Sequence, residues 1–256
     1  PLSKSLLTAS AEELPEYNPK YGSFTQKEVN KSTVLTATAN YGCGFRGWYD
    51  KTGKEVLPLI YQDVIRVPSY KIVFAKKKRG KYGVFDYNGI QKVPFIYDEV
   101  DYFSEGLAAV KKGRKWGYIN GEGNVVIDAL YNSADKYSEG LAAVKKGKKW
   151  GYIDKNGKVV IDFLYDYAER YVDGVAVVRQ GENWGVINKL GHFIVDCVYD
   201  WHIEHDKGTN SLIIRQNGLD GVMSLSGDIM IPPTYVIIRG FVSSPKRSEA
   251  YEISAV

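Results

Sequence analysis

A frame of glycines and tyrosines repeats six times along this chain, and it limits the fold more than any other feature. Glycine recurs at Gly47, Gly83, Gly117, Gly151, Gly185 and Gly221, in steps of 36, 34, 34, 34 and 36. A second glycine follows each after six residues (Gly53, Gly89, Gly123, Gly157, Gly191, Gly227). A tyrosine follows each after fourteen (Tyr61, Tyr97, Tyr131, Tyr165, Tyr199, Tyr235). Of the 25 positions in 104–128, 20 are identical in 138–162. Self-similarity at such a period marks units that bury their apolar surface against one another.

Each unit reads as a β-hairpin with a further strand. Trp150-Gly151-Tyr152-Ile153 is aromatic and β-branched, which suits a strand. Lys155-Asn156-Gly157-Lys158 supplies turn chemistry, and Val159-Val160-Ile161 returns as the second strand. Pro58, Pro94 and Pro232, or Asp128, Asp162 and Asp196, stand where that strand is expected to stop, since both residue types are poor in strand interiors. A polar connection with a Tyr-Asp start leads to a Glu-Gly or Asp-Gly turn (Glu105-Gly106, Glu139-Gly140, Asp173-Gly174). Leu107-Ala108-Ala109-Val110 and its copies form the next strand. No window carries a sustained 3.6-residue apolar stripe, so helices are minor.

The spelling Lys-Trp-Gly-Tyr-Ile, followed by Val-Val-Ile, Tyr and Ser-Glu-Gly-Leu-Ala-Ala-Val, resembles the WG (KWG) repeat family of mostly bacterial proteins. Trp116-Gly117, Trp150-Gly151 and Trp184-Gly185 carry the resemblance, with Tyr82-Gly83 a conservative variant. It weakens at both ends, where Arg46 and Asp220 replace the tryptophan and Tyr70 replaces the Glu-Gly glycine. The resemblance implies an all-β tandem array with a binding or scaffold role and no catalytic residues. The expected fold is all-β, a tandem array of ~34-residue β-hairpin repeats in a solenoid or superhelix. A closed propeller-like ring is the alternative, disfavoured because propeller blades usually run to about 40–45 residues. The expected division is a tail and irregular capping segment over 1–44, six repeats over 45–240 and a C-terminal tail over 241–256.

Composition excludes several classes. At 44% apolar and 25% charged, with a net charge of +4, the chain is neither collagen-like nor disordered. No apolar run approaches the roughly 18 residues that span a bilayer. Two cysteines are too few for a disulfide scaffold. Cys197 reads as a small buried hydrophobe, and Cys43 has no evident base partner. The opening at Pro1, without an initiator methionine, is read as a processed or excised start, and an envelope or secreted location is favoured over the cytoplasm. No P-loop, G-x-S-x-G or dinucleotide fingerprint occurs, so no enzyme and no cofactor is expected. His202 and His205 lack a third ligand at a zinc-site spacing, so no metal is expected. His192, at a hairpin turn, should be exposed. Asp86, Asn120, Asp154 and Asn188, three residues after each frame glycine, read as turn formers bonding their own backbone.

The remaining candidates concern surfaces. Thirteen of the 34 basic residues fall at one repeat position: Lys76, Lys77, Lys78, Arg79 and Lys81; Lys111, Lys112, Arg114 and Lys115; Lys145, Lys146, Lys148 and Lys149. Stacked units would align them as a ridge for an anionic partner, or as a solvated edge that blocks aggregation. The acids of the Tyr-Asp connection (Asp98, Glu99, Asp101 and Glu105; Asp135 and Glu139; Asp166, Glu169 and Asp173) are expected on a different edge, capping turns and pairing with lysines. The repeated tryptophans read as a core ladder in preference to sugar-stacking platforms. Trp48 and Trp201 lie outside the Trp-Gly slot and are expected to make surface contacts, as are Tyr70, Tyr167, Arg170 and His202. The expected function is a non-catalytic scaffold with an extended surface for another protein. A glycan or anionic cell-envelope polymer is the alternative partner, and nucleic acid is disfavoured because no nucleic-acid module accompanies the basic residues.

Overall fold

Three kinds of turn, recurring in phase, fold this chain into a tandem array of small antiparallel sheets. The computed structural model describes residues 23–29, 32–38, 45–49, 54–235, 237–239 and 252–254. Among these the helical content is one 3-10 turn, Pro68–Tyr70. The chain divides into two compact units, Pro1–Ala129 and Leu130–Val256.

In the first unit, seven strands pair in sequence order: Ser23–Val29, Ser32–Thr38, Arg46–Tyr49, Glu55–Val67, Ile72–Lys77, Tyr82–Asp86 and Gln91–Tyr97. The next sheet is formed by Glu99–Val100, Leu107–Lys112, Lys115–Asn120 and Val125–Tyr131. In the second unit the same four-strand pattern recurs as Ser133–Ala134, Ala142–Lys146, Lys149–Ile153 and Val159–Tyr165. It recurs again as Tyr167–Ala168, Val175–Gln180, Asn183–Asn188 and Phe193–Tyr199. Glu204–Asp206, Ser211–Gln216, Leu219–Ser224 and Ile229–Tyr235 form its last copy. A two-stranded sheet, Ile237–Arg239 with Glu252–Ser254, follows.

The turns are legible residue by residue. Glu105 and Gly106 both take positive φ (51° and 95°), as do Glu139-Gly140 and Asp173-Gly174. That is the type I′ hairpin pattern, whose twist matches the flanking strands. In the Lys/Gly turn only the first central residue is left-handed, Gly113 at 65° and Gly147 at 63°, which is the type II′ pattern. In the third turn, Asn120 Oδ1 accepts the N–H groups of Glu122 and Asn124 at 3.0 and 2.9 Å. Asp86, Asp154 and Asn188 cap their own turns in the same way.

The strand after this turn does not stop at its Pro or Asp. Gln91–Tyr97 runs through Pro94, and Val159–Tyr165 runs through Asp162 as far as the frame tyrosine. Both are the outermost strands of their sheets, where a missing or unused N–H costs little. The strand also bulges here: Tyr152 pairs with Ile161 but Trp150 pairs with Tyr165. The bulge folds over the glycine of the Trp-Gly pair. A Cβ on Gly151 would lie 2.6 Å from the Ile161 carbonyl oxygen, and one on Gly185 would lie 2.6 Å from that of Val195. The frame glycine and the frame tyrosine are thus two halves of one bulge. The same register shift occurs at Gly47, Gly83 and Gly221.

The core lies between consecutive sheets. Alternate residues of one strand serve different neighbours, because side chains alternate across a sheet. Ala176 and Val178 pack with Tyr152, Ile161 and Tyr165 of the preceding sheet. Val175 and Val177 pack with Ile203, Leu212 and Ile214 of the following one. In the first unit, Ile72, Phe74 and Val84 pack on Ala108, Val110 and Ile119 in the same way. Burial on both faces explains why Leu-Ala-Ala-Val is a continuous apolar run rather than an alternating one.

Candidate functional site

The slot held by tryptophan in the middle units is built across two strands. Register pairs Lys145 with Trp150, Lys111 with Trp116, Arg179 with Trp184 and Lys76 with Tyr82. Each cation lies over its partner ring, at 6.0, 5.6, 5.7 and 5.0 Å from the centroid. These separations are within the reach of cation–π attraction. Tyr167 stands edge-on to both Trp150 and Trp184, at 6.1 and 5.5 Å. The repeated rings are therefore half-buried and already engaged by the sheet. At the ends the slot changes partner chemistry. Asp220, buried, receives Arg215 through two nitrogens, Nη2 at 3.0 Å from Oδ2. Arg46 pairs with Asp63 at 2.7 Å, and Asp63 also accepts the Tyr82 hydroxyl at 2.9 Å. Burial first, and then that bond to a carboxylate, push the Tyr82 phenol up to about 12.

The basic turns and the Tyr-Asp acids meet, contrary to the expectation of separate edges. Asp98 accepts the Gly113 N–H at 2.6 Å and Lys81 Nζ at 3.1 Å, so one carboxylate joins two consecutive lysine turns. Asp166 does the same with Gly181 N–H at 2.8 Å and Lys149 at 2.7 Å. The cause lies in the fold: the residues just after Tyr-Asp form the first short strand of the next sheet, pairing Glu99 with Lys111 and Tyr167 with Arg179. Lys149 and the Gly181 N–H hold the Asp166 carboxyl below its ordinary value. At Asp98 burial opposes, and the Gly113 N–H and Lys81 prevail.

The basic side chains singled out from sequence consequently differ in what they meet. Lys76, Lys111 and Lys145 face the slot rings, and Lys111 also pairs with Glu99 at 2.6 Å. Lys77 and Lys146 lie on the opposite face, over Phe95 and Phe163 at 4.2 and 5.9 Å. Arg79 holds the left-handed corner of its turn, donating its backbone N–H to Gln62. Lys112, Arg114 and Lys148 stand exposed at the turn tips without an ion pair among the described residues.

The single aromatic candidates also separate. Trp201 is 60% exposed, with Arg215 over its ring at 5.8 Å. Trp48 is 4% exposed and belongs to the core with Leu57, Tyr61 and Val73, so it makes no surface contact. It follows its frame glycine directly, as Tyr118, Tyr152 and Val186 do, and that position points inward in every unit. His202 bonds Glu169 at 2.8 Å and stands edge-on to Trp184 at 4.8 Å. The bond to Glu169 raises its pKa, against burial. His205 Nε2 is 3.6 Å from Asp173, too far for a hydrogen bond. Cys197 packs at the edge of the core, where burial raises its thiol pKa, and His192 is exposed. Cys43 lies outside the described residues. Among the described residues no cluster of His, Cys, Asp and Glu has a metal-binding arrangement, and no helix is long and apolar enough to cross a membrane.

A family model for the "WG containing repeat" matches residues 47–82, 82–116, 116–150, 150–184 and 184–205. No curated protein matches the sequence. Solved structures give distant likenesses. The computationally designed Ika8 protein is 10% identical with a TM-score of 0.40, covering 82% of this chain and 73% of that one. Hsv2 of Kluyveromyces lactis is 10% identical with a TM-score of 0.41, covering 75% and 69%. The extracellular domain of the putative one component system BT4673 from B. thetaiotaomicron is 12% identical with a TM-score of 0.39. The match covers 82% of this chain and 35% of that one.

Proposed function

Because the chain belongs to the WG containing repeat family, we propose that it is a non-catalytic scaffold whose repeated basic turns dock an acidic surface of another protein. The observation that carries this reading is the division of the turn cations. Most are absorbed by rings and carboxylates of the sheets, while Lys112, Arg114 and Lys148 remain exposed without an ion pair among the described residues. Unneutralised charge repeated at one position favours encounter with a surface of opposite sign. Six units over 45–240, flanked by tails, and an envelope or secreted location belong to the same proposal. The repeated tryptophans do not favour a glycan here, since cations of their own sheet lie over their rings.

Affinity capture with the full chain tests the reading. An acidic protein retained by the wild type should elute on raising the salt, because screening weakens exposed charge pairs. It should be lost with the triple variant Lys112→Glu, Arg114→Glu, Lys148→Glu. Equal retention by the variant, or no partner enriched over an unrelated β-protein of matched charge, would overturn it.

A further inference from the structure

Four asparagines of this chain stand directly before a glycine: Asn88, Asn120, Asn156 and Asn217. At such a step the chain can modify itself, because the glycine nitrogen carries no neighbouring Cβ to obstruct its approach to the asparagine carboxamide. In spelling the four are alike. The fold separates them.

Asn88 and Asn156 lie in the turn that follows the Trp-Gly strand. There the Gly89 N–H donates to the Asp86 carbonyl and the Gly157 N–H to the Asp154 carbonyl, both at 3.0 Å, so the attacking nitrogen is held. The Asp86 and Asp154 side chains also accept the N–H groups of Asn88 and Asn156, both at 2.9 Å. The Asp154 carbonyl takes a further bond from the Tyr137 hydroxyl at 2.8 Å, as the Asn188 carbonyl takes one from Tyr171. Asn120 is held at the other reacting group. Its carboxamide oxygen accepts the N–H groups of Glu122 and Asn124, and a Cβ on Gly121 would strike the Tyr70 ring, which covers that side of the step.

Asn217 stands in a different turn, the one held by Gly113-Arg114 and Gly147-Lys148 in earlier sheets. Asn217 and Gly218 both take positive φ, 53° and 78°, in a type I′ loop closed by the pairing of Gln216 with Leu219. Both residues are exposed. Among the described residues, neither the Gly218 N–H nor the Asn217 carboxamide makes a hydrogen bond. The bond from the Asn217 N–H to Asp200 Oδ2, at 2.8 Å, engages neither reacting group.

We infer that Asn217-Gly218 is a self-modification site, the Asn-Gly step at which the folded chain deamidates first. The Gly218 nitrogen gives its proton to hydroxide and attacks Asn217 Cγ. The new C–N bond closes a succinimide, while the carboxamide nitrogen takes a proton from water and leaves as ammonia, which regenerates the hydroxide. Water then adds to either ring carbonyl, and the ring opens to aspartate or isoaspartate. Water is the only co-reactant. Either product places a new carboxylate near Asp200, and like charges repel. Isoaspartate also lengthens the main chain within a two-residue loop. Both changes loosen the tie between the Tyr-Asp connection and this turn. The site does not depend on the partner proposed for the basic turns.

Timed incubation of the full folded chain at mildly alkaline pH, followed by proteolysis and mass spectrometry, tests this. The Asn217 peptide should gain the mass of an amide-to-acid exchange about tenfold faster than the other three, which must first break one or two hydrogen bonds. Protein isoaspartyl methyltransferase should label the product at 217. In the urea-unfolded chain the four rates should converge, a comparison that needs no variant. Asn217→Gln should abolish the fast phase of ammonia release, because its longer side chain closes a ring less readily. Modification at Asn217 no faster than at any of the other three overturns the inference. So do an identical ranking in the folded and unfolded chains and a fast phase that survives in the Gln variant.

Discussion

Gly151 illustrates how little room one position can leave. A methyl group there would meet the Ile161 carbonyl at 2.6 Å and the Asp162 carbonyl carbon at 2.9 Å, both of them main chain in a bulge. Gly151→Ala should therefore destabilise the chain by about 2 kcal/mol, the usual cost of forcing a methyl into packed structure. Paired thermal melts check this, and an unchanged midpoint would remove the bulge argument. The need for this glycine was legible from its regular place beside an aromatic residue, and so were the Asp and Asn turn caps, whose backbone donors lie two and four residues away. Asp98 was harder to read. Its partners, Gly113 and Lys81, are 15 and 17 residues distant, so its role as a bridge follows from sheet register and not from local spelling. Trp48 was misread because its slot was judged by residue type, whereas the two-residue alternation of a strand decides which side chain faces inward.

Joints between successive sheets hold titratable groups as well as apolar ones. His202 bonds Glu169 across the joint between the fourth and fifth repeats, and Glu204 adds a second negative charge nearby. The bond raises the folded-state pKa of His202 above its unfolded value of about 6.5. Its stabilising contribution is therefore complete below that pH and is lost as pH rises through the folded value. The lowered carboxylates Asp86, Asp98, Glu139 and Asp166 act only at acid pH, where they lose their contribution as pH falls. Between about pH 6 and 8 the melting temperature should fall with rising pH. His202→Gln should flatten that slope, and an unaltered slope would assign it elsewhere. The strand boundaries in these joints were only partly legible. Proline and aspartate signalled an end that edge position and bulging removed, and the first short strand after Tyr-Asp carries too few residues to show a period.

Across the chain, stability should follow how completely each sheet is covered. Val159–Tyr165 buries Ile161 and Tyr165 completely or nearly so, whereas Ile229–Tyr235, in the last four-stranded sheet, buries no residue. Arrays stabilised by neighbour contacts open first where a sheet is least covered. Amide exchange should accordingly be slowest at Ala143, Val144, Tyr152 and Ile153, and fastest among the described strands of 130–235 in Ile229–Tyr235. Uniform protection would show one cooperative block instead. The array itself was legible because its period is carried by turns and glycines, which depend on local geometry. Which of the four Asn-Gly steps stands open was not, because hydrogen bonds across each turn decide it.

The hydroxyls of Tyr137 and Tyr171 each fasten a connection to a turn of the same sheet by landing on main-chain carbonyls, which every residue type possesses. Such a fastener is blind to the side chain it meets. The turn it holds is therefore free to drift in spelling, as Asp154-Lys155-Asn156 and Asn188-Lys189-Leu190 already differ. Whole repeats can be duplicated, lost or exchanged without inventing a new fastener. The solvent-facing residues of each copy are left as the raw material from which a lineage can tailor what the array recognises.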